Sequence, residues 1–298
     1  MSDPGPVYAC VEGGGTKFVV GVARSPEAVL DTARFPTTTP EATLGPVAAW
    51  LKAAAGHGPL AALGVGSFGP VELDPASPRW GHVLNTPKPG WSGADVCGPL
   101  AAALGVPIGL DTDVNAAAIA EHRWGAAQGQ RVAAYVTVGT GIGGGMIVDG
   151  VPVRGLTHPE IGHLPVRRHP DDAFAGICPV HGDCIEGLAS GPAIVARWGA
   201  SLSELRSGHP GLELVGWYLG QLAVTLQATL EPGRIVFGGG VLQAPGLLAS
   251  VRRQAAAIGA GYFRGDAKQI IVAPGLGDRA GLLGALALAM EAGGQRPT

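Results

Sequence analysis

Twice in this chain an apolar run breaks at a cluster of glycine and threonine and then resumes. Early on, Val7 to Val11 and Phe18 to Ala23 flank Glu12-Gly13-Gly14-Gly15-Thr16-Lys17; later, Ala133 to Val138 leads through Gly139-Thr140-Gly141 into Ile142 to Val148. Apolar runs joined by a glycine-rich turn read as β-hairpins. Neither hairpin can bury its own faces, so the echo predicts two duplicated α/β lobes, each completed by further strands and helices. Helices are expected near 41–55, 96–104, 115–122, 192–198, 217–230 and 279–291, with further strands at 63–67, 108–110, 234–237 and 270–272. The expected domains are an N-terminal lobe over 1–112 and a C-terminal lobe over 113–279. The second carries a loop at 158–191, and a terminal helix at about 280–298 packs back on the first.

A length of 298 residues suits two modest domains. With 20 basic against 23 acidic residues the net charge is −3, which leaves no basic stripe for nucleic acid. Glycine is abundant, 50 residues, without a collagen-like period, so tight turns and close backbone approaches are expected. Met1 to Gly5 lacks the basic start of a signal peptide, and Leu282 to Met290 is too short to span a bilayer. Four cysteines in a chain this long make no disulfide framework; Cys10 and Cys97 are expected to be packed free thiols. The expectation is a cytoplasmic protein without membrane or nucleic-acid partners.

Glycine turns between strands can aim several backbone N–H groups at one anion, since no Cβ blocks the approach. Thr16, Thr140 and Lys17 could add side-chain donors. Neither turn is a Walker A loop, and neither leads into a helix as a dinucleotide fingerprint does. The alternative is two ordinary hairpins. The pair of turns, together with Gly238-Gly239-Gly240 after a later strand, favours a nucleotide.

Between them lies Glu160-Ile161-Gly162-His163, then Cys178-Pro179-Val180-His181-Gly182-Asp183-Cys184-Ile185-Glu186. His163, Cys178, His181 and Cys184 offer two imidazoles and two thiolates, a closed set of four suited to structural, tetrahedral Zn²⁺. His158 and His169 compete for that role; His169, after Arg167-Arg168, is expected to be solvated. Glu160 and Glu186 flank the cluster, and paired carboxylates suit polyols because each accepts hydroxyl hydrogens in defined geometry. Solvated surface charge is the other reading of both. Asp113 follows a short strand and precedes an Ala-rich helix, where it could cap the helix or act as a general base.

Taken in order, Glu12-Gly13-Gly14-Gly15-Thr16-Lys17, Asp113-Val114-Asn115-Ala116, Gly139-Thr140-Gly141-Ile142-Gly143, Glu160-Ile161-Gly162-His163 and the Cys/His segment resemble the motifs of ROK-family sugar kinases, nearly end to end. Gly66-Ser67-Phe68-Gly69-Pro70, Thr86-Pro87-Lys88-Pro89-Gly90-Trp91 and Arg168-His169-Pro170-Asp171-Asp172 resemble the bacterial fructokinase branch. The resemblance implies two ribonuclease H-like, actin/hexokinase-like ATPase lobes with a cleft between them, holding ATP and Mg²⁺, with Zn²⁺ as a structural ion. The implied reaction is phosphorylation of D-fructose at its 6-hydroxyl. Another hexose acceptor (mannose, glucose or an N-acyl amino sugar) is the alternative, with a sugar-sensing regulator of the same family behind it. Regulators carry an N-terminal helix-turn-helix, whereas the first strand here is expected within a few residues of Met1.

By resemblance, Asp113 is the general base. Gly13, Gly14, Gly15, Thr16, Lys17, Gly139, Thr140, Gly141, Gly143, Gly239 and Gly240 hold the nucleotide. Glu160, His163 and Glu186 join Asp113 on the sugar, with His163 serving both metal and sugar, and the assembly is a homodimer. The chain departs from the wider family at Thr112, where Asn is usual, at Glu12, where Asp is usual for a water-mediated Mg²⁺ contact, and in having only two cysteines in the metal segment. Lys88 and Trp91 either face the sugar or are a surface lysine and a packed ring.

Overall fold

A computed structural model describes residues 5–206 and 208–295. Most of the Met1 to Gly5 start, and residues 296–298 of the expected terminal helix, lie outside them. In chain order the elements are β1 (Val7–Gly13), β2 (Lys17–Ser25), β3 (Ala28–Pro36), α1 (Pro40–Ala54), β4 (Leu60–Ser67), α2 (Cys97–Leu104), β5 (Ile108–Thr112) and α3 (Asp113–Trp124). There follow β6 (Val132–Val138), β7 (Ile142–Val148), β8 (Val151–Pro152), α4 (Ile185–Ala189), α5 (Gly191–Trp198), α6 (Gly211–Leu230), β9 (Arg234–Gly238), α7 (Leu247–Gly259), α8 (Ala267–Ile270), β10 (Ile271–Val272) and α9 (Ala280–Ala292). The chain divides into two compact units. One runs to Ala120 and regains Arg154–His158 and the segment from Arg279; the other comprises Glu121–Val153 and Pro159–Asp278.

The first unit holds a sheet ordered β3-β2-β1-β4-β5, and the second one ordered β8-β7-β6-β9-β10. In both, the first three strands form an antiparallel meander and the last two run parallel to the meander's first strand. The anticipated duplication is therefore strand for strand.

β1 is apolar almost throughout because both its faces are covered. On one face Ala9, Val11, Phe18 and Val20 meet Leu44, Val47 and Leu51 of α1. α9 packs against β1, β4 and β5. Gly64 permits that approach: a Cβ there would lie 1.8 Å from the Ala285 carbonyl oxygen. Trp91 is fully buried, stacks on Phe18, meets Phe68 edge-on and donates its indole N–H to the Thr38 carbonyl at 2.7 Å. It is the packed ring of the two readings. Cys10 and Cys97 are buried free thiols; burial raises the first and, with the nearby Asp95 charge, pushes the second up to about 12.

The second core gathers Val136, Val138 and Ile142 with Ile185, Leu188, Leu219 and Phe237. Several elements differ from expectation, among them the short β8, α4 and α8, which were not expected. α6 starts at Gly211, a turn and a half before the expected 217, and α7 was not anticipated; neither has a side-chain N-cap to announce it. Their contact needs Gly216, where a Cβ would fall 2.1 Å from the Ser250 hydroxyl. β3 was also missed, being an edge strand with no fully buried residue. Among the described residues no helix is long and apolar enough to cross a membrane.

Candidate active site

In the first unit β5 runs directly into α3, and Asp113 is the first helical residue, half-buried. The helix is capped by its neighbour: the Thr112 hydroxyl accepts the Asn115 amide at 3.1 Å. That gives Thr112 a structural task, and it separates Asp113 from the third-residue cap, although Asp113 Oδ1 still accepts the Val114 amide at 2.9 Å. Asp111, fully buried, is consumed structurally. It takes the Thr112 amide at 2.8 Å, the Asn115 side-chain amide at 2.7 Å and the Arg154 guanidinium at 2.6 Å. Arg154 was missed in the sequence, since nothing ties it to a position 43 residues earlier.

The first glycine turn closes on itself. The Gly14 N–H donates to the Lys17 carbonyl at 2.9 Å, and the Thr37 hydroxyl donates to the Gly14 carbonyl at 2.7 Å. Gly13 is buried against Phe18, while Thr16 and Lys17 are exposed. Glu12 lies at the first turn of α9: an ideal Cβ on Gly281 would be 2.2 Å from its carboxyl carbon. A carboxylate is favoured at a helix N-terminus, where backbone N–H groups point outward.

In the second unit the four expected zinc ligands converge, their donor atoms all within 4.8 Å of one another. His163 Nδ1 lies 3.7 Å from Cys178 Sγ and 3.6 Å from Cys184 Sγ, and His181 Nδ1 lies 3.9 Å from Cys178 Sγ. A tetrahedral zinc with bonds of about 2.3 Å to sulfur and 2.0–2.1 Å to nitrogen would hold S and N about 3.6 Å apart. The donor set therefore fits the ion. The knuckle is pre-folded, with paired Cys178–Gly182 backbone hydrogen bonds and the His181 amide donating to Cys178 Sγ at 3.4 Å. Without a cation, burial pushes the Cys184 thiol up to about 11, against amide hydrogen bonds from Gly187 and Glu186, with Cys178 adding to the rise.

The competing imidazoles go elsewhere. His158 accepts the Val71 amide at 3.3 Å in the first unit. His169 meets Trp217 edge-on, so it is half-buried rather than solvated. The Arg168 to Asp172 stretch fastens the metal segment. Arg168 donates to the Asp172 carbonyl at 3.0 Å and pairs with Asp183 at 3.4 Å, while the Asp172 carboxylate receives Tyr218 at 2.6 Å and Arg197 at 3.0 Å.

Glu160 immediately precedes the short turn Ile161–His163, whose Gly162 sits where a Cβ would be 1.8 Å from the Ile142 carbonyl oxygen. Glu160 keeps open surface, yet the protein packed around it, and then the Glu186 charge, raise its carboxyl above the ordinary value. Glu186, on α4, accepts the Ile142 amide at 2.9 Å through Oε2. Around the second glycine turn, the Gly139 N–H closes onto the Gly141 carbonyl at 2.9 Å, and the Gly191 N–H reaches the Gly139 carbonyl at 2.8 Å. Thr140 is exposed at the tip, and Gly143 lies in β7, paired with Thr137. Gly239, at φ +90°, is packed so that a Cβ would meet the Val138 carbonyl at 2.4 Å. The structure thus brings Gly239, followed by the exposed Gly240, beside the Gly139–Gly141 turn.

Known proteins are similar to this chain in sequence and fold along nearly all of their length. The chain is 52% identical to a fructokinase from Zymomonas mobilis over 98% of its own length and 99% of that protein's. It is 42% identical to a putative fructokinase from Bacillus subtilis, covering 95% of each. A ROK hexokinase from Thermus thermophilus superposes with a TM-score of 0.77 at 29% identity, covering 96% of this chain and 98% of that one. A ROK family glucokinase from Streptomyces griseus, solved with glucose and AMPPNP, gives 0.77 at 28% identity, covering 96% and 99%. The ROK family model itself matches residues 8–292, and the chain belongs to that family.

Proposed function

We infer that this chain is an ATP-dependent fructokinase, transferring the γ-phosphoryl group of ATP to the 6-hydroxyl of D-fructose. The observation that carries this is identity: relatives named fructokinase are 36–52% identical over most of the chain, whereas relatives named glucokinase are 30% identical. The experiment is a sugar panel with coupled detection of ADP. Fructose should give the highest kcat/KM, with fructose 6-phosphate as product. A higher kcat/KM for glucose, mannose or an N-acyl amino sugar would move the protein to another specificity within the family.

Phosphoryl transfer asks the protein mainly for alignment, charge neutralisation and a base. In the first unit we assign the base to Asp113, which takes the proton of the 6-hydroxyl as that oxygen bonds to the γ-phosphorus and ADP leaves. Its support is that the third-residue cap of α3 falls to Thr112 and the ion pair with Arg154 to Asp111. Gly13, Gly14, Gly15, Thr16 and Lys17 are assigned to nucleotide phosphate, with Lys17 exposed and able to supply positive charge.

In the second unit, Thr140 with Gly139, Gly141 and Gly143 is assigned to phosphate, and Gly239 and Gly240 to the nucleotide. Glu160, His163 and Glu186 are assigned to fructose hydroxyls. His163 turns Nδ1 to the thiols, which leaves Nε2 as its sugar-binding atom. Zn²⁺ on His163, Cys178, His181 and Cys184 would be structural, with all four positions filled by protein. Mg²⁺ would neutralise the phosphates, and Glu12 is assigned to hold it through water. Homodimerisation and a cytoplasmic location complete the reading.

A further inference from the structure

The Ile142 backbone joins three features that have no evident connection in sequence. Its carbonyl oxygen lies under Gly162, in the turn that presents Glu160 and His163. Its amide donates to Glu186 Oε2 at 2.9 Å, and Ile142 itself ends the Gly139–Gly141 turn. The carboxylate that takes this amide stands on α4, which begins immediately after the zinc ligand Cys184. α4 is held at both ends. The Ile185 amide donates to the Leu164 carbonyl at 3.0 Å, and after its last residue the Gly191 amide donates to the Gly139 carbonyl at 2.8 Å. Gly187 lies so close to the knuckle that a Cβ would fall 2.0 Å from the Gly182 carbonyl oxygen, so the helix cannot slide along it.

We propose that Glu186 is a positioning residue for the nucleotide-phosphate turn as well as a sugar ligand: Oε2 fixes the Ile142 amide and Oε1 is directed to fructose. This rests on the assignments just given, of the turn to phosphate and of Glu186 to sugar. Gly141 supports the first half, because a Cβ there would lie 2.6 Å from Oε2. Turn and carboxylate are thus fitted to each other, leaving no room for a bridging water. Glu186 has a polar acceptor to spare only because it is a carboxylate with two oxygens. A consequence is that the zinc clip governs two sites. Through Cys184 and α4 it sets the phosphate turn, not the sugar residues alone.

The test compares Glu186→Gln with Glu186→Ala in the zinc-loaded full chain, with zinc content measured for each. Binding of ADP is followed by calorimetry, fructose KM by steady-state kinetics, and amide hydrogen exchange over 138–144 by mass spectrometry. Glutamine keeps an oxygen for the Ile142 amide but loses the charge offered to sugar. Glu186→Gln should therefore hold the ADP Kd within about twofold and leave exchange slow, while fructose KM rises about tenfold or more. Glu186→Ala should raise fructose KM similarly, but also weaken ADP about tenfold and speed exchange at Ile142. Equal ADP affinity and equal exchange in Glu186→Ala and wild type would overturn the proposal. A parallel Thr140→Val variant separates the underlying reading: ADP binding unaffected there means the turn does not hold phosphate, and the proposal falls with it.

Discussion

The two sheets share one strand order, but their glycine turns are supported differently. The first is held by strands of its own sheet: Gly14 bonds to Lys17 across the turn, Thr37, one residue past β3, braces it, and the Phe68 amide, one residue past β4, donates to the Gly13 carbonyl at 2.6 Å. The second is gripped from outside, by Glu186 on the Ile142 amide, 44 residues away, and by Gly191 on the Gly139 carbonyl. Duplication kept the layout of strands and let the attachment of the turns diverge. One turn depends on strands of its own sheet, the other on a helix that follows the Cys/His cluster, so the second should respond to perturbations that the first ignores.

The sharpest test of the division of roles is Asp113→Asn. It should lower kcat by about a thousandfold, the range of a lost general base, with zinc content and Tm unchanged. Turnover near wild type would remove chemistry from the first unit's side of the comparison. Next is Cys184→Ala. Metal analysis should fall from about one zinc per chain to near zero. Amide exchange should quicken over 138–144 but not over 13–18; equal quickening of both would erase the proposed difference in support. Third come matched substitutions in the two turns. Gly141→Ala drives a methyl into Glu186 and should cost about 1–3 kcal/mol by denaturant unfolding. Gly15→Ala meets no atom within 4 Å, and its stability should stay within about 0.5 kcal/mol.

The smallest effect concerns pH. Burial and the Glu186 charge raise the Glu160 carboxyl from its ordinary value of 4.5, so it takes up a proton at higher pH than a solvated glutamate. If the ionised form accepts sugar hydroxyls, as proposed, fructose KM should rise as pH falls through the raised value, before ordinary carboxylates titrate. Stability runs the opposite way: the folded state binds that proton more tightly than the unfolded one, so protonation at Glu160 relieves a cost. Glu160→Gln should flatten the KM profile in that window, and an unchanged profile would detach Glu160 from the sugar.

Much of this was legible because it is local. The hairpins show as apolar runs around glycine, α3 as an Ala-rich stretch after Asp113, and the Cys/His cluster as Cys-x-x-His-x-x-Cys with a distant His163. What stayed hidden depends on partners far along the chain. β3 exposes too much surface to show an apolar pattern, and α7 follows Gly246, which offers no side-chain cap. The Asp111–Arg154 pair and the Glu186–Ile142 bond join residues more than forty positions apart, one of them through a backbone amide. Trp91 looked equally suited to a cleft or a core; the decision came from Phe18, Phe68 and the Thr38 carbonyl meeting around it.

α9 has a consequence for biosynthesis. It covers β1, β4 and β5, yet it is made after the whole of the second unit. While the ribosome is still translating, the second unit has every strand it needs, whereas the earlier-made sheet waits with one apolar side bare. Domains usually mature in the order of their synthesis. In this chain the portion that emerges first is the last able to finish, and nascent-chain chaperones have a long interval in which to find it.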